Sequence, residues 1–299
     1  MAAVKENKKE IMSPSKMVLK RLKKNKLAIL GLIMVVAIIL VCFIGPLFYK
    51  YGYNTQTNDV LVGFMKKGHI LGTDKLGRDI FARIMYGGRI SILIGFVSVI
   101  VETILGTLVG AIAGYYGGKV DSFCMAVVNV WTSLPFLPII IILGSVLSAR
   151  KVSPEGRIFF LIMIMGILSW GGIARLVRGE VLSLREQEFI QATEALGLRD
   201  ARKLLKHIIP NVIPILIVNA TLGVGSYIIQ ESALSYLGVG VSEPMASWGN
   251  MLAAAKSLAD IQKRMWLWLP PGLCIVWITL GTNLLGDGLR DALDPKKNR

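Results

Sequence analysis

The chain has 299 residues, 54% of them hydrophobic and 18% charged, with a mean hydropathy of +0.59. A soluble domain carries about 25% charged residues, so this excess of apolar side chains excludes an ordinary soluble enzyme and makes lipid part of the solvent. The formal net charge of +15 fits nucleic acid, an anionic membrane surface or the basic bias of cytoplasmic loops, and the positions of the charges decide between them.

Residues 1–26 form a basic segment. Leu27–Tyr49 then runs uncharged and ends in Gly45-Pro46 without a small-x-small cleavage site. It reads as a first transmembrane helix that stays in place rather than a signal peptide. Residues 50–89 form an outer segment. Its first half is glycine-rich loop, and Leu76, Ile80 and Ile84 then recur at helical spacing. This predicts an amphipathic helix at the interface, capped by Thr73 or Asp74.

Residues 90–288 contain five more apolar runs. Ile90–Gly118 holds one charge, Glu102, and the runs Ser122–Ala149, Ile158–Ala174, His207–Gln230 and Met265–Gly286 hold none. About 20 apolar residues cross the hydrocarbon, so the expectation is an all-α membrane protein of six transmembrane helices. Between the spans lie an inner segment, 175–210, and an outer segment, 231–264, read as re-entrant or surface-packed. A tail, 289–299, closes the chain. With both termini cytoplasmic, 21 of the 34 Lys and Arg fall on inner segments, as the positive-inside rule favours. The basic residues therefore flank spans rather than forming a nucleic-acid surface.

Catalytic motifs are absent. A P-loop requires G-x-x-x-x-G-K-[ST], but Gly118-Lys119 is preceded by Ala113 at the first glycine position and followed by Val120. His69 and His207 fall on opposite sides of the membrane in this topology. Cys42, Cys124 and Cys274 lie in predicted spans and read as small buried hydrophobes. Glu102 is the exception among intramembrane groups, because a charge at mid-span costs about 2.5–3.5 kcal/mol on insertion scales. It should face protein or water, as a helix–helix contact or as part of a translocation path. Asn129, Asn219 and Gln230 are the other polar candidates for such a path, with interhelical hydrogen bonding as the alternative.

The inner segment is nearly charge-balanced and rich in helix formers, and Gly197 interrupts it. A helix–Gly–helix element standing off the membrane fits. Its stretch EFIQATEALGLRDARKLLKHIIPN, Glu188–Asn211, resembles the EAA signature of ABC importer permeases: Glu-Ala-Ala, three residues, Gly, nine residues, Ile-x-Leu-Pro. Gln191, Ala192 and Thr193 take the Glu-Ala-Ala positions. Gly197 takes the glycine, and His207-Ile208-Ile209-Pro210 takes the ending. Gln191, Thr193 and His207 depart from the pattern. HILGTDKLGRDIFARIMYGGRIS (His69–Ser91), LSYLGVGVSEPMASWGNML (Leu234–Leu252) and NLLGDGLRDALDPK (Asn283–Lys296) resemble the second permease subunit of dipeptide/oligopeptide importers. Members of that branch often carry Met-Arg and then Asp where this chain has Met125-Ala126 and Asn129, so an inner-leaflet charge pair is expected to be missing.

The resemblance implies a type I ABC importer permease fold in the cytoplasmic membrane of a bacterium or archaeon. It implies no cofactor on this chain, with ATP and Mg bound by two cytoplasmic ATPase subunits. A second homologous permease subunit, an external solute-binding protein and a peptide in transit complete the system. A coupling helix of about 193–206 would then meet one ATPase. In this coupling loop, which also holds Gln191, Ala192, Thr193, Ala195 and Ile208 and is closed by Pro210, Gly197 would allow close approach and Glu194, Arg199, Asp200 and Arg202 would set the register. Within the branch, nickel chelates, opines, glutathione or oligosaccharides are alternative cargoes. Outside it, a self-contained secondary transporter, a channel or a membrane scaffold are the rivals.

Overall fold

The computed structural model describes residues 14–293. Residues 1–13 of the basic N-terminal segment and 294–299 of the tail, including the end of the Asn283–Lys296 stretch, lie outside the described residues. Helix α1 (Pro14–Lys24) leads to α2 (Lys26–Phe43), and a short α3 (Gly45–Phe48) follows. Asn25 starts α2 by accepting from the Leu27 and Ala28 amides, an N-cap that satisfies two orphan donors. At the other end Arg89 donates to the carbonyls of Cys42 and Phe43 at 2.8 and 2.9 Å. It closes α2 and ties it to the next span.

Helix α4 (Ile80–Tyr116) is 37 residues long, about 55 Å at 1.5 Å per residue. Its N-cap is Asp79, whose carboxylate accepts from the Ala82 amide, and not Thr73 or Asp74. The expected interfacial helix is absent as a separate element. The first turns of α4 are instead packed against segments 50–79 and 237–268, with Ile80 and Ile84 against Met251 and Leu267 and Arg83 donating to Tyr53 and Glu243.

Span three is also different from expectation. Helices α5 (Gly118–Thr132) and α6 (Phe136–Ala149) meet at a 67° bend. Ser133 and Ser145 bond carbonyls on their own helices, and Pro135 can donate nothing to the chain before it. α7 (Pro154–Arg185) begins with a Ser153 cap and Pro154 in its first turn. After α8 (Glu188–Ala195) and α9 (Asp200–Lys203), a π-helical turn joins α9 to α10 (Ile209–Tyr236). The short α11 (Trp248–Leu252) and α12 (Leu258–Lys263) precede α13 (Leu269–Leu293). Among the described residues five helical courses are long and apolar enough to cross a membrane, and the bent pair taken as one span makes a sixth.

The most extensive helix pairing is α4 against α7. Gly106, Gly110 and Gly114 fall every four residues, and a Cβ there would meet Ile173, Val177 and Val181 at 2.6, 2.9 and 2.8 Å. Small residues at this spacing let two backbones approach in lipid, where packing replaces the hydrophobic drive. The buried cluster of Ile94, Val99, Met165, Tyr227 and Leu234 continues this contact toward α10.

Candidate functional site

The inner segment folds as helix, turn and helix rather than as one helix over 193–206. α8 ends at Gly197, which has φ +70°. The Leu198 amide returns to the Thr193 carbonyl and the Gly197 amide to that of Glu194, at 3.2 and 2.9 Å. This pairing is a Schellman stop, and only glycine takes its left-handed position without strain. A Cβ at Gly197 would meet nothing within 4 Å, so the glycine is required by the backbone turn and not by a close neighbour in this chain.

The residues expected to act together divide by exposure. Gln191, Ala192, Glu194, Ala195, Gly197, Arg199, Asp200, Arg202 and Pro210 are exposed, whereas Thr193 and Ile208 are buried. Thr193 donates to the Ile190 carbonyl at 2.6 Å. Ile190 and Ile208 join Ala111, Val177, Val181 and Val212 in one apolar cluster, which fastens the segment to α4 and α7. Asp200 is exposed yet committed, accepting from the Tyr115 hydroxyl of α4 at 2.7 Å and pairing with Lys203 at 2.9 Å. The sequence did not single out Phe189 and Leu196, which are exposed by 41% and 77% beside the charges. An apolar residue left in water on a helical turn was their available signal.

From Asp200 the helical course continues without a stop to Tyr236, 37 residues. Pro210 has no N–H, so the Ile209 amide reaches back to the Leu204 carbonyl and widens the turn to π geometry. One curved rod therefore joins the inner loop to the outer face.

Three of the four polar span residues share one place on this rod. Glu102 of α4, Ser169 of α7 and Asn219, Ser226 and Gln230 of α10 line a groove of about 280 Å³. Asn219, Ser226 and Gln230 follow at spacings of seven and four, one helix face. Asn129 lies elsewhere. It accepts from Arg175 at 3.1 Å, beside an Arg178–Asp121 pair with contacts of 2.5 and 2.6 Å. Positions 126 and 129 carry no charge pair, and the Arg178–Asp121 pair between α5 and α7 is a separate contact.

At the outer ends the segments 50–79 and 237–268 clasp each other. Arg78 donates to both oxygens of Glu243, at 2.6 and 3.2 Å, and to Asp74 at 2.7 Å. Trp266 donates to the Thr73 carbonyl at 3.1 Å. Asp260 accepts from Lys75, Ser257 and Arg264 at 2.7, 2.7 and 2.5 Å. The Lys75 ammonium, then Ser257 and Arg264, hold its carboxyl well below the usual carboxylate range. Glu231, placed by the sequence at the start of the outer loop, is instead fully buried in α10. It accepts from Ser91 at 2.9 Å and Ser235 at 2.6 Å. Those hydroxyls in turn accept from the Trp248 and Val241 amides at 3.2 and 2.9 Å.

Residues 106–299 match the family described as binding-protein-dependent transport system inner membrane component. The chain belongs to this family. Residues 13–62 also match the N-terminal transmembrane domain of oligopeptide transport permease C. Among relatives, an oligopeptide transport system permease protein OppC of Bacillus subtilis is 42% identical, over 92% of this chain and 88% of its own length. A dipeptide transport system permease protein DppC of Alkalihalophilus pseudofirmus is also 42% identical, over 95% of this chain and 90% of its own. The OppC of Haemophilus influenzae is 39% identical over 93% of this chain and 87% of its own. In this inner membrane component α10 contributes Asn219, Ser226 and Gln230 to the polar groove and Glu231 to the buried hydrogen-bond network beside the clasp.

Proposed function

We propose that this permease forms half of the translocation pathway of an ATP-driven importer for dipeptides or oligopeptides and carries out no catalysis itself. The substrate class rests on relatives named for oligopeptide and dipeptide transport. In this reading the chain sits in the cytoplasmic membrane of a bacterium or archaeon with both termini inside. It pairs with a second homologous permease and with two cytoplasmic ATPase subunits, which bind ATP and Mg. A solute-binding protein delivers the peptide to the outer clasp.

The observation that carries this reading is the continuous course from Asp200 to Tyr236. Just before its start lies the turn around Gly197 with exposed Phe189 and Leu196, which in this reading faces the cytoplasm. Its middle lines the groove with Glu102, Asn219 and Gln230. Its outer end holds Glu231, which pins the loop that carries Glu243. Closure of the ATPase pair against the inner turn becomes a rigid-body shift of the rod, and the groove changes the side to which it opens.

Co-purification followed by hydrolysis tests the reading. The chain is expected to purify with a homologous permease and ATPase subunits, and peptide-loaded binding protein should raise ATP hydrolysis several-fold. A chain that purifies alone and moves peptide without ATP is a secondary transporter, and the reading fails.

A further inference from the structure

We propose that the groove between α4, α7 and α10 holds the α-ammonium group of the peptide in transit, with Glu102 as its counter-ion; this rests on the peptide-import reading. Glu102 is the one acidic residue of α4 and lies 22 positions after the helix start at Ile80. Several other acids near the spans are committed within the chain. Asp121 pairs with Arg178, Asp200 with Lys203, and Glu243 with Arg78 and Arg83. Glu231 is bonded by two serines. Among the described residues no cation faces Glu102, and only the Tyr227 hydroxyl is directed at it. A carboxylate kept in a low-dielectric setting without a cation is a site for one that arrives from outside.

Tyr227 is a second and independent pointer. It is 3% exposed, and its hydroxyl makes no hydrogen bond of normal length and angle although it is directed toward Glu102 and Ser169. A buried hydroxyl without a partner is uncommon, and this one belongs to the groove lining. Asn219 spends its Nδ2 on the Ile215 carbonyl at 2.9 Å, which leaves Oδ1 as an acceptor. Glu102 and Asn219 Oδ1 therefore match the three N–H bonds of an ammonium, and Tyr227 and Gln230 can donate to the first peptide carbonyl.

Size agrees with an end-on contact. The groove, about 280 Å³, lies at the lower edge of small-ligand sites of roughly 300–1,000 Å³. It takes one end of a peptide and leaves the remaining side chains outside. A contact limited to the amino terminus serves peptides of any sequence, since every unblocked peptide carries that group.

The test is capture of tritiated trialanine by the detergent-solubilised complex without its binding protein, both nucleotide-free and trapped with ADP and vanadate. Wild-type complex should bind trialanine in at least one state, N-acetyl-trialanine should not compete, and binding should weaken as pH rises past about 8, where the amino terminus loses its proton. Glu102→Gln should lower affinity at least about tenfold and Tyr227→Phe about threefold, each converting to RT ln of that ratio. No capture in either state, full competition by the acetylated peptide, or unchanged affinity in both variants overturns the proposal. ATP-dependent uptake measured on the same preparation separates the two readings. Uptake without capture sinks the ammonium site alone, and capture without uptake sinks the importer reading and leaves a peptide-binding groove without a transit role.

Discussion

Asp260 and Glu231 are two carboxylates that the outer end of the molecule handles in opposite ways. Glu231 is buried and bonded by neutral hydroxyls, whereas Asp260 is surrounded by cations. The depressed carboxyl of Asp260 gives a pH dependence with a definite sign. A group ionising more easily when folded contributes stability that is complete above its unfolded value, about 3.9, and is lost as pH falls through the folded value. Hydrogen-exchange protection across residues 256–268, corrected for intrinsic rates, should therefore hold from pH 7 to about 5 and decline below about 4. Asp260→Asn should show the reduced protection already at pH 7 and flatten the profile, and an unchanged profile would refute the clasp. At this scale the sequence was partly legible. Glu102 stood out as the single charge in a long apolar run, and its groove partners Asn219 and Gln230 were visible as polar residues in another. Glu231 was not, because a charge at the edge of a run reads as the start of a loop. Only the fold brings Ser91 and Ser235 to it.

At the scale of elements, the apolar runs and the inner helix–Gly–helix were readable because charge gaps and a glycine interruption are local signals. The bend between α5 and α6 was hidden. The run from Ser122 to Ala149 is uncharged throughout, and hydropathy does not register that Leu134-Pro135 breaks it. The amphipathic spacing before span two falls in the first turns of α4, where Ile80 and Ile84 pack with Met251, Ala255 and Leu267 of a distant segment. The α4–α7 contact gives a sharper test. Gly110→Leu puts a side chain into Val177 and the Ala174 carbonyl, and overpacking of this kind costs about 1–3 kcal/mol or more. In detergent it should lower the melting temperature by several degrees and reduce recovery of monodisperse complex. Gly172→Leu on α7, where a Cβ meets nothing within 4 Å, should leave both unchanged. Equal behaviour of the two variants would contradict the glycine-mediated packing.

For the whole molecule, the +15 charge sits on a chain with several helices long and apolar enough to cross a membrane. The cations at the two ends of those helices serve different purposes. Outer cations such as Lys75, Arg78 and Arg83 are spent on carboxylates within the clasp. On the inner turn, exposed Arg199 and Arg202 stand beside Leu196 and the glycine stop. The family was readable from short ordered stretches because each marks a place where the backbone turns or an end is capped, and such places tolerate few residue types. The groove was not readable as a unit, since its lining comes from three helices separated by more than 40 residues. In the proposed mechanism, motion of the turn around Gly197 drives peptide across the membrane along the α9–α10 rod. It is tested most directly by ATP-dependent uptake of labelled trialanine into proteoliposomes holding the assembled complex and its binding protein, wild type beside Gly197→Glu. The account predicts that wild type accumulates peptide only with ATP, whereas the variant assembles and hydrolyses ATP yet accumulates less than about a tenth as much, because a non-glycine residue at φ +70° strains the turn. Accumulation without ATP, or full accumulation by Gly197→Glu, would contradict it.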